Sequence, residues 1–340
     1  MIARSTLHDT VRLLLGSIPL VICGQTVQAQ DTSSSHAGTR VLEEVMVTAQ
    51  KRDESLQRAP AAITVVGADQ LTQFGVTDAK QLVNLVPGTR FNFQNSNIQF
   101  FIRGVGNSLT NTGVSPGVVM NYNGVPLMEG ATLSAFYDVA QVEVLPGPQG
   151  TLYGADAAGG VVAVTSKMPT DGLDAEFSVE AGNYSLYSVF GALNVPIGDT
   201  LKARVAINHR QHDGYLSNGL YDEDSLAGRV TLMYEPTENF SLMTWGSYYK
   251  DVGNGVAVLP LPLRDAPNPW EFDYPAYPTL VGVSINNPGQ LGLERDIENL
   301  LLGARLDLRL GGVNLTYIPG YGEINSTNKQ LFAKIGRAHV

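Results

Sequence analysis

Residues 299–310, with the sequence NLLLGARLDLRL, decide the fold. Apolar side chains occupy every second position of this stretch: Leu300, Leu302, Ala304, Leu306, Leu308 and Leu310. Because successive side chains of a strand point to opposite faces, the other face carries Arg305, Asp307 and Arg309. A soluble sandwich also alternates, but its strands average about 5–6 residues, and this alternation runs for about twice that length. The stretch therefore predicts a strand of a transmembrane β-barrel whose charges face the lumen.

The same alternation recurs through the C-terminal half of the chain, as at residues 201–208, LKARVAIN. The connections between these stretches alternate in length: they are short at residues 196–199, 235–238 and 311–312, and long at residues 211–224 and 251–297. Short turns on the periplasmic side and long loops outside are typical of outer-membrane barrels. We therefore predict an antiparallel transmembrane β-barrel over residues 171–334, with about seven strands between Phe177 and Tyr321.

A different pattern over residues 57–170 predicts an α+β domain. Strand-like runs occur at residues 62–66, 100–103, 118–122, 142–145 and 160–166. A short helix is predicted at residues 70–74, ending at Gly75. A second helix is predicted after Thr77, because apolar residues recur at helical spacing up to Pro87. Mixed strands and helices with glycine-rich connections indicate one small domain ahead of the barrel.

The first 29 residues have the three-part pattern of a secretory signal. Two arginines precede a short apolar run at residues 13–22, and cleavage is expected after Ala29. The run is too short for a membrane-spanning helix. Residues 30–56 form a polar tether that contains one β-prone run, residues 42–49. Such an isolated run either folds back or adds to the sheet edge of a partner.

Charge and spacing exclude several other classes of function. A net charge of -10 opposes a nucleic-acid partner, which would need a basic face. Residues 113–117 match the Gly-x-Ser-x-Gly elbow of hydrolases, but Pro116 has no N–H to donate to an oxyanion. His209 and His212 lie on opposite faces of a strand and so do not form a metal pair. We therefore predict no enzyme, no catalytic residue, no metal site and no cofactor.

Several motifs, in order along the chain, resemble those of the TonB-dependent outer-membrane receptors. They are LEEVMVTAQKR at residues 42–52, LVPG at 85–88, IRG at 102–104, VEVL and GPQGTLYG within 142–154, and GGVV at 159–162. The resemblance implies a plug domain inside a barrel of about 22 strands in outer-membrane lipid. It also implies uptake of a scarce, large ligand such as a ferric siderophore, energised by TonB and its inner-membrane complex.

The resemblance further assigns candidate site residues. The TonB box comprises Glu43, Glu44, Val45, Met46, Val47, Thr48 and Ala49, and would bind the periplasmic domain of TonB by strand addition. Arg103 of the IRG motif is the candidate for anchoring the plug to barrel carboxylates. Pro146 stands where the family usually has arginine, so plug anchoring is expected to be weaker or rebuilt. Candidate ligand-binding residues are Asn95, Asn97, Asn107 and Asn111, although asparagine is also an ordinary turn residue.

Two further expectations concern the chain as a whole. The predicted barrel region holds about a third of the strands that a plug-holding barrel needs, so we expect a fragment of a longer receptor. Residues 335–340, IGRAHV, resemble the translation of a sequencing adapter and are left out of the fold prediction. The alternative function is a secreted, non-transporting β-protein, such as an adhesin or an autotransporter-like passenger. Internal repeats of about 20–50 residues would favour it, and we find none.

Overall fold

The structure is a computed structural model of the 340-residue chain. It describes residues 46–48, 54–59, 62–76, 79, 81–94, 97–107, 116–154, 156–215, 219–254, 257–258, 294–329 and 331–332. The predicted signal, most of the predicted tether and residues 335–340 lie outside the described residues. Within the described part, no helix has the length and apolar character needed to cross a membrane.

The first part of the chain forms an α+β domain, called the plug here and covering residues 64–166. The strands up to its end are β1 (Met46–Val47), β2 (Glu54–Ser55), β3 (Thr64–Gly67), β4 (Thr89–Gln94), β5 (Asn97–Ile102), β6 (Val118–Tyr122), β7 (Val125–Pro126), β8 (Val139–Pro146) and β9 (Gly160–Ser166). The main plug sheet has the order β3-β8-β9-β6-β7, while β4 and β5 form a separate hairpin. Every residue of β6 and nearly every residue of β9 is buried, as expected of valine-rich strands covered on both faces.

Short helices connect these strands. They are α1 (Ala68–Gln73), two 3-10 helices (Gln81–Asn84 and Glu129–Ala135) and α2 (Gly150–Tyr153). The predicted strands at residues 118–122 and 160–166 coincide with β6 and β9, and the first predicted helix overlaps α1. The prediction of a second full helix is wrong, because the described residues there form only the 3-10 helix Gln81–Asn84. Pro87 disfavours helical backbone at Val86, which instead packs into the plug core.

The second part of the chain forms one antiparallel sheet, called the large sheet here. Its strands are β10 (Asp174–Ala181), β11 (Tyr187–Pro196), β12 (Leu201–His212), β13 (Glu223–Thr237), β14 (Phe240–Gly253), β16 (Glu294–Leu310), β17 (Val313–Tyr317) and β18 (Gly320–Lys329). Two short strands, β15 (Ala257–Val258) and β19 (Leu331–Phe332), pair with each other outside this sheet. From β10 to β17, each strand of the large sheet pairs antiparallel with the next strand of the sheet along the chain, as predicted for the barrel, whereas β18 pairs with β16.

The last two strands of the large sheet occupy a single position beside β16. The C-terminal half of β16 pairs with β17 and its N-terminal half pairs with β18. Regular strand structure is interrupted at Ile318 and Pro319, between β17 and β18. The Pro319 carbonyl nevertheless accepts a hydrogen bond from the Ala304 N–H of β16 at 3.0 Å. The described sheet therefore has seven strand positions, the number that the sequence predicts.

One face of the large sheet packs on the plug. Met243 and Trp245 of β14 are buried within the same hydrophobic cluster as the plug core. Tyr137 of the plug packs against alanines of three neighbouring strands, Ala192, Ala206 and Ala227. On the opposite face Leu300 and Leu302 are exposed, as the alternation predicts. This sheet covering a folded plug, with an apolar outer face, confirms the predicted fold class of α+β plug followed by antiparallel barrel strands.

Candidate functional site

The predicted TonB box is described at three of its seven positions, Met46 to Thr48, called the box segment here. Glu43, Glu44, Val45 and Ala49 lie outside the described residues. Met46 and Val47 form β1, which pairs antiparallel with β2 so that Met46 faces Ser55 and Val47 faces Glu54. Val47 is 0% exposed, whereas Met46 is 45% exposed. The box segment is therefore folded back onto the chain, which is one of the two states that the sequence allows.

The box segment lies at the end of the large sheet that carries the short turns. A cavity of about 550 Å³ at this end is lined by Thr48, by plug residues such as Asn121, and by sheet residues close to the short turns, including Glu235, Arg309 and Asn314. In outer-membrane barrels the short turns face the periplasm. The box segment therefore lies at the end of the sheet that faces the periplasm in barrels of this kind.

A buried plug carboxylate holds the box segment. The Glu143 carboxylate accepts hydrogen bonds from the Thr48 backbone N–H, at 2.9 and 3.1 Å to its two oxygens, and from the Thr48 hydroxyl at 2.9 Å. Gln141 donates its side-chain amide to Glu143 Oε1 at 2.7 Å and to the Met46 carbonyl at 3.3 Å. Sequence reasoning missed both residues. The signal was an acidic residue inside the apolar strand VEVL, a position at which a charge needs a partner.

A second charged cluster joins the plug to the large sheet. Asp138 precedes β8 and its side chain is 0% exposed. It accepts hydrogen bonds from Arg204 of β12, at 2.9 Å from Nε and 2.5 Å from Nη2, and from Arg229 Nη2 of β13 at 2.6 Å. Both guanidinium groups are also buried, at 5% and 1% side-chain exposure. The anchor thus has its carboxylate on the plug and its arginines on the sheet, the reverse of the predicted polarity.

Aromatic residues of the plug position this cluster. The Arg229 guanidinium lies 4.8 Å from the centroid of the Tyr137 ring and 5.9 Å from that of the Tyr122 ring, and it also donates to the Tyr122 hydroxyl. The Tyr137 hydroxyl lies 3.0 Å from Ser247 Oγ on β14. Burial raises the pKa of Tyr137 above its ordinary value, so that its hydroxyl stays neutral beside the cluster.

The predicted anchor, Arg103, has a different environment. Its side chain is exposed, and within the described part of the chain it makes no ion pair. Its backbone N–H donates to the Gly88 carbonyl at 2.7 Å, in the turn after β5. The anchoring role of Arg103 therefore stays a prediction. The sequence analysis did not identify this cluster, because Arg204 lies 66 residues and Arg229 lies 91 residues after Asp138 in the sequence.

The four candidate ligand-binding asparagines are only partly described. Asn97 pairs with Gln94 at the turn of the β4–β5 hairpin, and the Asn107 N–H donates to the Pro116 carbonyl at 3.1 Å. Asn95 and Asn111 lie outside the described residues. The role of the four asparagines in ligand binding stays a prediction.

The two histidines lie on opposite faces of β12, as the sequence predicts. His209 is within 3.2 Å of Asp224, and His212 is buried within 3.4 Å of Glu223. Among the described residues, no group of three or more metal-ligating side chains is close enough to hold an ion.

Charged residues also pair at the long-loop end of the large sheet. Arg295 donates to both oxygens of Asp251, at 2.9 Å each, and to the Asp222 carbonyl at 2.7 Å. Asp222, in the loop before β13, accepts from the Asn254 N–H at 2.8 Å. Burial raises the pKa of Asp222 above its ordinary value. These contacts join the end of the connection before β13 to the start of the connection after β14, at the end of the sheet opposite the box segment.

Known proteins with sequences similar to this chain include receptors and a transporter. The model of the TonB-dependent receptor plug domain matches residues 55–161. The chain is 33% identical over 226 residues to the pesticin receptor of Yersinia pestis, covering 64% of this chain and 31% of the receptor. It is 27% identical over 199 residues to the vitamin B12 transporter BtuB of Vibrio vulnificus, covering 57% of this chain and 30% of the transporter.

A solved structure shows the same fold. The ferric yersiniabactin uptake receptor FyuA of Yersinia pestis superposes with a TM-score of 0.64 at 21% identity, over 79% of this chain and 41% of that receptor. The chain spans about a third of the length of the curated relatives it matches. The plug match, the ordered motifs and the shared fold agree: residues 55–161 match the plug domain of TonB-dependent receptors, and the chain has the fold of the corresponding part of such a receptor.

Proposed function

We propose that the protein is an outer-membrane receptor that takes up a large nutrient ligand with energy supplied through TonB. The observation that carries the proposal is the arrangement at the short-turn end: a β-prone segment lies beside a plug that is itself packed on the inner face of the barrel sheet. A plug in this position blocks the lumen, so passage of a ligand requires work on the plug. We propose that TonB applies this work by pulling on the predicted TonB box at the short-turn end of the sheet.

The coupling step is strand addition between the predicted TonB box and TonB. An extended peptide that adds to a sheet edge gains main-chain hydrogen bonds and makes few demands on side chains. A peptide spanning residues 43–49 should therefore bind the purified periplasmic domain of TonB and compete with the full chain for it. The change Val45→Pro should abolish this binding, because proline lacks the N–H of the ladder and fixes φ.

A matched control places proline outside the box. In a longer peptide spanning residues 41–55, Asp53→Pro should leave the affinity for TonB unchanged, whereas Val45→Pro should abolish it. Equal affinity of both proline peptides would refute strand addition at this segment. Loss of binding in both would show that the contact extends beyond the predicted box.

For the ligand we propose a ferric siderophore. The relatives include proteins named as a pesticin receptor, a ferrioxamine receptor and a ferric yersiniabactin uptake receptor, next to a hemin receptor and a vitamin B12 transporter. Titration of the detergent-purified protein with ferric yersiniabactin, ferrioxamine, hemin and cyanocobalamin tests the choice by tryptophan fluorescence. Saturable quenching by an iron siderophore supports the proposal, and quenching by hemin or cyanocobalamin alone overturns it.

A further inference from the structure

His212 closes the β12–β13 hairpin at the long-loop end of the large sheet. It is the last residue of β12, it pairs in register with Glu223, the first residue of β13, and it is 7% exposed. On the outer face of β12 the apolar positions end at Ile207, which is exposed, and His209 follows on the same face. His212 therefore lies beyond the apolar band of its strand, at the end that faces the outside in outer-membrane barrels.

Both ring nitrogens of His212 face oxygen acceptors. Nδ1 lies 2.8 Å from the backbone carbonyl of Asp213, which can only accept a hydrogen bond. Nε2 lies 3.4 Å from the Glu223 carboxylate. A neutral imidazole has one donor nitrogen, and the Asp213 carbonyl fixes that donor at Nδ1, so the Nε2 lone pair would then face a carboxylate. Only the protonated ring carries hydrogen on both nitrogens, so the contact with Glu223 depends on the charge of His212.

Other charged and titratable groups surround the ring. They are Tyr215, whose hydroxyl lies 3.2 Å from Nε2, Arg210 of the same strand, whose Nε lies 3.7 Å from the Glu223 carboxylate, and Asp222 ahead of β13. The charge of Arg210 opposes protonation of His212, but Arg210 also pairs with Glu180 at 3.0 Å. Burial lowers the pKa of His212, but the contacts with Glu223 and with the Asp213 carbonyl outweigh burial and place the pKa above its ordinary value.

Tyr215 joins this ring to a second connection of the large sheet. The Tyr215 ring stacks on the His212 imidazole, with the two centroids 4.6 Å apart. It also lies nearly perpendicular to the ring of Tyr184, at 5.0 Å between centroids. Tyr184 belongs to the turn between β10 and β11. Because an aromatic face attracts a cation, protonation of His212 strengthens this stack as well as the contact with Glu223.

The turn between β10 and β11 depends on the same segment. Tyr184 and Ser185 both have positive φ, 58° and 54°, a conformation that costs free energy in residues other than glycine. The Asp213 N–H donates to the Tyr184 carbonyl at 2.7 Å, and the Ser185 hydroxyl donates to the Asp213 carboxylate at 2.5 Å. Residues 213–215 thus support the turn, and they are themselves held by His212.

From these contacts we infer that His212 is a pH-dependent clasp: its charged form holds residues 213–215 against β13 and against the β10–β11 turn, and its neutral form releases them. The charged form is present below the pKa of His212, so the clasp is closed in an acidic medium and opens as the pH rises through that pKa. Because the long loops of outer-membrane barrels lie outside, the clasp responds to the pH of the medium. The inference goes beyond the proposed function and depends on neither TonB nor the identity of the ligand.

Hydrogen exchange at the Asp213 N–H tests the clasp, because this group donates to the Tyr184 carbonyl. Exchange of the full chain in detergent micelles is read by mass spectrometry and divided by the rate of an unstructured chain at the same pH. The resulting protection should fall about tenfold between about pH 5.5 and pH 8.5, from the strength of hydrogen bonds to charged groups. His212→Gln should give low protection at both pH values.

A second variant keeps the histidine and removes only the charge of its partner. The amide of Glu223→Gln can accept from the charged ring or donate to the neutral ring, so its protection at Asp213 should change little with pH. This variant decides the question even if His212→Gln lowers the protection of the whole sheet. A pH dependence in Glu223→Gln equal to that of the unchanged protein would refute the clasp.

The matched control is His209→Gln, on the same strand but on the opposite face, where His209 lies 3.2 Å from Asp224. It should keep the pH dependence of the unchanged protein. Loss of that dependence in His209→Gln as complete as in His212→Gln would overturn the assignment to His212. A pH dependence that survives His212→Gln would belong to another group, such as Asp222, and would also overturn the clasp. Constant protection of the unchanged protein over the whole range would do the same.

Discussion

The buried charge cluster around Asp138 should dominate the attachment of the plug to the large sheet. We choose the change Asp138→Asn, which removes the charge but keeps the side-chain shape. The backbone of Asp138 has a φ of 53°, a conformation that asparagine also tolerates. The substitution therefore tests the electrostatic contact and leaves the backbone conformation almost unaffected.

The magnitude follows from the burial of all three partners. Arg204 and Arg229 donate three short hydrogen bonds to the Asp138 carboxylate, and none of the three side chains is more than 5% exposed. Removing one member of a buried ion pair leaves an uncompensated charge and costs about 3–5 kcal/mol. Arg204 retains Glu176 at 3.0 Å, so most of the loss should fall on Arg229.

Trp245 provides the assay. It lies on the large sheet but is buried against the plug core, so its fluorescence reports whether the plug is docked. The other tryptophan of the chain is Trp270, and Trp270→Phe leaves Trp245 as the single reporter. Urea titration of this protein in detergent micelles should show the Trp245 transition of Asp138→Asn at a lower midpoint, with a loss of about 3–5 kcal/mol.

The matched control is Asp199→Asn, at an exposed aspartate in the short turn between β11 and β12. A surface change of this kind should stay within about 0.5 kcal/mol. Equal stability of Asp138→Asn and Asp199→Asn would refute the reasoning. Replacing Arg229 by Met in the Asp138→Asn protein should recover part of the loss, because the uncompensated charge is then removed.

The large sheet gives two further predictions, both measured by urea titration. Leu302→Arg, on the exposed face near the middle of β16, should cost about 2–4 kcal/mol in a membrane, whereas Arg305→Gln on the inner face should cost about 1 kcal/mol or less; equal costs would indicate a soluble sheet. Gly303→Ala should cost about 1–3 kcal/mol, because its Cβ would lie 2.1 Å from the Trp245 ring. Gly228→Ala, which meets no atom within 4 Å, should be close to neutral, and a similar loss in both glycine variants would contradict the packing argument.

The strands of the large sheet could be predicted because their periodicity is a local property. A strand that separates an apolar from a polar environment must alternate its side chains, so residues 299–310 reveal both faces without any knowledge of their neighbours. The structure places Leu302 outside and Arg305 inside accordingly. The same holds for β6 and β9, because the first and last residues of their valine-rich runs are also the first and last residues of the strands.

The tertiary structure alone decided which charges meet. The sequence suggested Arg103 as the anchor through a motif, but a motif does not reveal the partner of a charge, and the buried contact forms at Asp138 with arginines from two distant strands. Thr48 and Glu143 are likewise 95 residues apart. A charge becomes buried only when segments that are distant in sequence pack together, here the plug and the large sheet. Local residue patterns therefore determined the elements, and only their assembly determined the anchor and the contact between Thr48 and Glu143.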